Sequence, residues 1–287
     1  MDAHIHPSDS TLTPDLRIVP IELLVEHEFN DDQRTEPLAR RLDEEGSLKN
    51  PPVVTPLGDD PRYVVLDGAN RITALSLLGY THILVQVVPY EPPQVTLTTW
   101  HHVIAGMDAK SLTAELSAVE DVDLILTDPL RARAGLARRE YLMYTIRADG
   151  EVFAARTAAP RRDMQAQNRL LNVLVDTYKD RCSLHRVMTE ELEEVQQLFP
   201  DIAGLVIFPQ YDASEILELA REGELLPAGL TRHLIQGRAL RINYPLADLK
   251  SGQSLEDKNA RLRAWLKRKL VTKEVRFYGE ATYLFDE

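Results

Sequence analysis

The sequence predicts a mixed α+β protein of two domains. Its 287 residues correspond to about two domains of roughly 150 residues each. Helix-like and strand-like stretches alternate along both halves, and the sequence Glu91-Pro92-Pro93 interrupts them. We therefore expect a flexible N-terminal arm over residues 1–16, a mixed α/β domain over residues 17–92 and an α+β domain over residues 93–287.

The first domain alternates short β-branched strands with two helical stretches. Leu38 and Leu42 lie one helical turn apart before Gly46, which predicts a helix over residues 35–45. Gly58 and the two aspartates after it form a turn, which predicts a hairpin. The predicted strands cover residues 17–20, 53–55, 63–66 and 83–88, and the second helix covers residues 70–78.

The second domain shows the same alternation over a longer stretch. Asp149-Gly150 is a typical hairpin turn and predicts paired strands over residues 141–147 and 151–156. We expect a buried strand over residues 205–208, helices over residues 163–178, 189–198, 213–221 and 257–270, and a closing hairpin over residues 275–278 and 282–285.

The composition is that of an ordinary globular protein and disfavours several classes. Hydrophobic residues make up 44% of the chain, which excludes a disordered protein. The net charge of −12 disfavours a nucleic-acid partner, because phosphate binding depends on Lys and Arg. Cys182 is the single cysteine, which favours a reducing compartment. With no signal-like N-terminus and no long apolar run, we expect a cytoplasmic protein without a membrane partner.

The strongest local motif is the run from Tyr63 to Leu75, in which a strand leads through Asp67-Gly68 into a helix. The first N–H groups of a helix lack internal partners and attract anions. Arg71 in the first turn can add a bidentate contact to a phosphate. Asp67 at the strand end either holds Mg²⁺ or only caps the helix, and the pattern leaves both readings open.

Two further motifs contain histidine. His27 lies between Glu26 and Glu28. The two carboxylates that flank this histidine either provide a general base or belong to a solvated acidic loop. His101 and His102 follow Trp100 and have no partner at a recognised metal-ligand spacing.

Two stretches are basic. Arg232, Arg238 and Arg241 lie close together in an acidic chain, and they either bind an anion or pair with surface acids. Residues 258–269 contain six basic residues and no acidic one around Trp265. Such a helical face either contacts an anionic partner or is simply solvated.

The stretch from Ile18 to Val88 resembles the ParB/sulfiredoxin-like domain. The similarity lies in residues 49–54, in residues 63–71, and in Gly68, Arg71 and Ala74, which match the G-x-x-R-x-x-A phosphate-binding turn of that superfamily. Within it, the sequence is similar to the free serine kinases at residues 24–28, 67–71, 100–101 and 231–233, and this resemblance extends over most of the chain.

The resemblance implies a kinase that transfers a phosphoryl group from ATP or ADP, with Mg²⁺, to free L-serine to form O-phospho-L-serine. In that family, such a kinase serves the biosynthesis of amino acids or siderophores. Glu28 would be the base and Asp67 a second catalytic residue that also holds Mg²⁺. The implied nucleotide contacts are Gly68, Ala69, Asn70, Arg71 and Thr73, and the implied substrate contacts are Trp100, His101, Thr231, Arg232 and His233.

Two other readings remain open at this point. A ParB-like regulator would bind a nucleotide or DNA without phosphorylating an amino acid, and the basic residues 258–269 are its main support. A sensor would bind a ligand such as haem through His101, His102 or Cys182.

Overall fold

The computed structural model describes residues 13–30, 32–159 and 163–277. The helices and strands alternate along these residues, which confirms the predicted α+β class. The strands are β1 Asp15–Pro20, β2 Leu24–Val25, β3 Ser47–Leu48, β4 Val53–Leu57, β5 Asp60–Asp67, β6 His82–Val87, β7 Val95–Thr99, β8 His101–Ala105, β9 Val122–Thr127, β10 Met143–Arg147, β11 Val152–Thr157, β12 Ser183–Val187, β13 Ile202–Ile207, β14 Thr231–Ile235 and β15 Tyr244–Pro245. The helices are α1 Asp32–Glu45, α2 Ala69–Leu77, α3 Ala109–Ser117, α4 Pro129–Ala137, α5 Met164–Asp176, α6 Leu192–Leu198, α7 Ala213–Glu222, α8 Leu246–Lys250 and α9 Leu255–Val271.

The chain divides into two compact units, and this division differs from the predicted domains. Among the described residues, the first unit contains residues 13–26, 30, 32–96 and 233–277, and the second contains residues 27–29, 97–159 and 163–232. The chain enters the second unit a few residues beyond the predicted boundary at Pro92-Pro93. The C-terminal residues, which the sequence assigned to the second domain, belong to the first unit.

The first unit is built on a five-stranded mixed sheet in the order β1-β6-β4-β5-β2. β4 and β5 form the predicted antiparallel hairpin, with Gly58 in the left-handed region at φ +65°. Apolar side chains of the sheet pack with α1, α2, α8 and α9 in one core. Asp67 is the last residue of β5, and α2 begins two residues later at Ala69, so Asp67 lies next to the start of this helix.

Helix α9 explains why the C-terminal residues belong to the first unit. Asn259 donates to the carbonyl oxygen of Ile18 at 2.8 Å and accepts from the Ile18 N–H at 2.9 Å, so its amide covers the outer edge of β1. Leu262 is fully buried. Nζ of Lys258 donates a hydrogen bond to the carbonyl oxygen of Leu249 at 2.6 Å. The basic run over residues 258–269 is therefore one side of a packed helix and not a wholly solvated face. The apolar side of α9, including the half-buried Trp265, is used within the core.

The second unit is built on a six-stranded antiparallel sheet in the order β12-β8-β13-β10-β11-β9. The pair β10 and β11 is the hairpin that the Asp149-Gly150 turn predicts. Leu205 packs with α4 and α6, whereas the neighbouring Gly204 lies against Leu112 of α3. Because successive strand residues point to opposite faces, the sheet carries helices on both sides.

Two of the predicted segments lie partly outside the residues that the structure describes. β1 begins at Asp15, so the last residues of the predicted arm belong to a strand, while residues 1–12 lie outside the described part. The predicted hairpin strand over residues 282–285, and the end of its partner at Tyr278, also lie outside it. No helix in the described part of the chain is long and apolar enough to cross a membrane.

Candidate active site

The turn between β5 and α2 in the first unit requires glycine for two reasons. Gly68 has φ +96°, in the left-handed region. A Cβ at this position would lie 2.8 Å from Nη2 of Arg71 and 3.0 Å from Cα of Pro52. No side chain in the described part of the chain caps α2, and the alternative in which Asp67 only caps this helix is therefore wrong. The first N–H groups of α2 remain suited to an anion.

Asp67 holds two arginines beside this turn. One oxygen, Oδ2, accepts hydrogen bonds from Nη2 of Arg71 and from Nη2 of Arg238. Nη1 of Arg71 also donates to the carbonyl of Asn50 at 2.6 Å. One carboxylate against two guanidinium groups leaves an excess positive charge next to the start of α2. This charge and the helix start favour a phosphate at the same place.

Arg238 was not among the residues implied for the site. Its Nε is buried and has no hydrogen-bond partner among the described residues, although its side chain is about one-third exposed. The sequence showed Arg238 only as one of three nearby arginines. It lies 171 positions from Asp67, so no local pattern connects the two residues.

The remaining implied residues of the first unit have varied surroundings. Thr73 Oγ1 donates to the carbonyl of Ala69 at 3.2 Å and accepts from Nδ2 of Asn30 at 3.0 Å. Asn70 lies half-buried in the first turn of α2. His233 belongs to this unit, where its Nε2 lies 2.7 Å from the hydroxyl of Tyr90.

In the second unit, Glu28 is held by backbone N–H groups at both carboxylate oxygens. Oε2 accepts from the N–H of Gly229 at 2.8 Å, and Oε1 accepts from the N–H of Thr231. The neighbouring backbone is fixed by a bridge to Leu226, whose N–H donates to the carbonyl of His27 at 2.8 Å. The Glu28 side chain is only 16% exposed. The alternative of a solvated acidic loop is therefore wrong at Glu28.

Of the other implied residues of the second unit, Thr231 contacts this carboxylate, and Arg232 follows it in the chain. Nε2 of His27 lies 2.8 Å from Oγ1 of Thr231 and 3.9 Å from Oε1 of Glu28. The Arg232 guanidinium lies over the Trp100 ring, 4.9 Å from its centroid. This contact orients the guanidinium through its attraction to the ring face.

His101 and His102 lie inside the sheet of the second unit. Nδ1 of His101 accepts from the N–H of Phe208 at 3.4 Å, and burial lowers the pKa of His101. Burial also lowers the pKa of His102 to about 3, and its Nδ1 lies 3.0 Å from the hydroxyl of Tyr178. These surroundings do not favour His101 as a direct contact to a substrate, because its side chain is 8% exposed.

The chain also resembles proteins of known function. No family model matches the chain. Over 279 residues the chain is 26% identical to the ATP-dependent L-serine kinase SbnI of Staphylococcus aureus, and the alignment covers 95% of this chain and 97% of that protein.

Solved structures show the same fold. SbnI of Staphylococcus aureus with a C-terminal truncation matches with a TM-score of 0.70 at 24% identity, over 91% of this chain and 97% of that one. A mutant free serine kinase in complex with AMP matches with a TM-score of 0.70 at 18% identity, over 82% of this chain and 94% of that one. The chain thus has the fold of the free serine kinases and resembles SbnI in sequence over nearly its whole length, which confirms the resemblance seen in its motifs.

Proposed function

We propose that this protein is a free L-serine kinase that transfers a phosphoryl group from ATP or ADP to the serine hydroxyl and so forms O-phospho-L-serine. The observation that supports it most directly is Glu28, a largely buried carboxylate fixed by the N–H groups of Gly229 and Thr231. The relatives support the same reaction, since SbnI is named an ATP-dependent L-serine kinase. A nucleotide donor and the lone Cys182 also fit a cytoplasmic enzyme.

The nucleotide phosphates are assigned to the start of α2. The N–H groups of Ala69 and Asn70 precede the first internal helix bonds, and Gly68 keeps the approach free of a side chain. Arg71 and Arg238 supply the positive charge, and Asp67 fixes both guanidinium groups. Thr73 supports this turn through its bond to the Ala69 carbonyl.

Glu28 is the proposed general base. The serine hydroxyl donates its proton to Glu28 while its oxygen attacks the terminal phosphorus of the nucleotide, and the bond from that phosphorus to the bridging oxygen breaks. Each carboxylate oxygen accepts one backbone N–H and keeps a second lone pair for the hydroxyl. A positioned base of this kind contributes about 10²–10⁴-fold in rate.

Mg²⁺ is proposed only as the ion that accompanies the nucleotide. The described residues contain no group of three or more His, Cys, Asp or Glu that could hold a metal. Oδ2 of Asp67 already accepts from two guanidinium groups, which disfavours the implied role of this carboxylate as a Mg²⁺ ligand. Mg²⁺ is often bound mainly through substrate phosphates, so we assign no step to a protein-held metal.

The acceptor is assigned to residues that the resemblance implies. Trp100 and Arg232 form one stacked pair, and Arg232 is suited to the serine carboxylate or the product phosphate. Thr231 links Glu28 to His27. His101 and His233 stay in the proposal as supporting residues because each is already bonded within its own unit. Nucleic acid and membrane are not proposed as partners.

Phosphorus NMR tests the reaction directly. Purified protein with L-serine, Mg²⁺ and ATP should give a phosphoserine signal that requires serine, and a parallel sample with ADP identifies the donor. Nucleotide hydrolysis without phosphoserine would contradict serine as the acceptor. No change with either nucleotide would contradict the kinase, and a salt-dependent DNA titration would then test the regulator.

A further inference from the structure

Two arginines of the second unit, Arg186 and Arg232, differ from most of the others in having no carboxylate partner among the described residues. Eight of those others form ion pairs with carboxylates: Arg131, Arg133, Arg138, Arg139, Arg147, Arg156, Arg169 and Arg181. In a chain with 45 acidic residues and 33 basic ones, an arginine without a carboxylate partner is the less expected case.

Both Arg186 and Arg232 lie at residues 229–231, the segment whose backbone N–H groups bind the Glu28 carboxylate. Gly229, whose N–H donates to Glu28 at 2.8 Å, has φ +67°. A Cβ at Gly229 would lie 1.9 Å from Cζ and Nη2 of Arg186, so the Arg186 guanidinium occupies the space that the missing side chain leaves. Nη1 of Arg232 lies 3.6 Å from Sδ of Met188, two residues beyond Arg186.

We infer that Arg186 is a second cationic ligand of the acceptor, and that with Arg232 it binds the carboxylate of L-serine. This inference rests on the proposed function. In L-serine three covalent bonds, each about 1.5 Å long, separate the hydroxyl oxygen from the carboxylate carbon. When the hydroxyl meets Glu28, the carboxylate must therefore lie close to the same segment. Guanidinium groups match a carboxylate through paired N–H donors.

The test compares R186Q and R186K with the unsubstituted protein. Arg263, an exposed arginine on α9 of the first unit, provides the matched control R263Q, which removes the same charge elsewhere. R186Q should raise the KM for L-serine about 10- to 100-fold, as expected for the loss of a hydrogen bond to a charged group. R186K should recover part of this loss, while the KM for the nucleotide and all constants of R263Q stay unchanged.

L-Serinamide tests which group of the acceptor Arg186 binds. It lacks the carboxylate charge, so R186Q and the unsubstituted protein should use it with the same kcat/KM. An unchanged KM for L-serine in R186Q overturns the inference. An equal loss with L-serine and L-serinamide also overturns it, and so does a raised KM for the nucleotide, which would assign Arg186 to the donor phosphates.

Calorimetric titration with L-serine separates this inference from the proposed function. If the unsubstituted protein makes no phosphoserine, the proposed function fails. Weaker L-serine binding by R186Q, with normal binding by R263Q, would still support the carboxylate site. Equal binding by both variants, or no binding by the unsubstituted protein, would overturn it.

Discussion

Replacing Glu28 with glutamine should reduce both turnover and stability, each by an amount that the structure predicts. Both carboxylate oxygens accept a backbone N–H, from Gly229 at 2.8 Å and from Thr231. Glutamine has one oxygen and one NH₂ group, so one of the two N–H groups must face another donor. Leaving a buried N–H unpaired costs about 1–3 kcal/mol.

The loss in turnover has a separate origin. Glutamine cannot accept the serine proton, which should lower kcat about 10²–10⁴-fold, or about 3–5 kcal/mol of transition-state stabilisation. Nucleotide affinity should not change, because the proposed phosphate contacts are Gly68, Arg71 and their neighbours. Serine-dependent nucleotide turnover, urea unfolding and calorimetric nucleotide binding measure the three quantities.

The matched control for this experiment is Glu26→Gln. Glu26 lies two residues away and accepts a hydrogen bond from Nδ2 of Asn30 at 2.7 Å, which a glutamine oxygen can also accept. E26Q should retain turnover and stability. If E28Q kept kcat within a factor of two, Glu28 would not be the base, and if E28Q unfolded at the same urea concentration, the two N–H contacts would not be buried as described.

Three further predictions concern other parts of the chain. Arg238→Gln should weaken nucleotide binding about tenfold, since it removes a charged ligand beside α2, and calorimetry with the exposed Arg268→Gln as control measures this. Asn259→Leu should lower the free energy of unfolding by about 2 kcal/mol, because it leaves both backbone groups of Ile18 without their partner, and urea unfolding measures this loss. Burial lowers the pKa of His102 from 6.5 to about 3, so the unfolded state binds more protons than the folded state between these pH values. The free energy of unfolding should therefore fall as the pH falls from 6.5. His102→Leu should flatten this part of the pH profile, which thermal unfolding measures.

Each of these three has an outcome that contradicts it. Equal nucleotide affinity in R238Q would remove Arg238 from the phosphate site. Unchanged unfolding of N259L would mean that α9 does not contribute to the first unit through this contact. If the pH profile of H102L followed that of the unsubstituted protein between pH 6.5 and 3, His102 would not be buried in its neutral form.

The local elements of the site could be predicted because neighbouring residues determine them. A β-branched strand, a glycine with positive φ and a helix start at Ala69 all lie within about ten positions. The same holds for the hairpin at Gly58 and for the hairpin at Asp149-Gly150. The role of Asp67 could not be predicted in this way, since a residue before a helix is more often a cap.

The division of the chain into units and the packing of α9 differ from the expectations for one physical reason. The sequence predicts an exposed basic face over residues 258–269, because charge alone does not show which side of a helix is packed. Lys258 is buried because its long side chain reaches the carbonyl of Leu249. The C-terminal residues were assigned to the second domain because sequence order suggests that neighbours along the chain stay together, whereas Asn259 bonds to Ile18, 241 positions away.

The sequence by itself determined the mixed fold class, the glycine turn before α2 and the similarity to the free serine kinases, because each depends on short runs of residues. Only the tertiary structure decided which groups those runs meet. It places Gly229 and Thr231 on Glu28 across about two hundred positions, Arg238 on Asp67, and Arg186 against Gly229. Such contacts form when separate strands and loops pack together, and no spacing in the sequence encodes the distance between them.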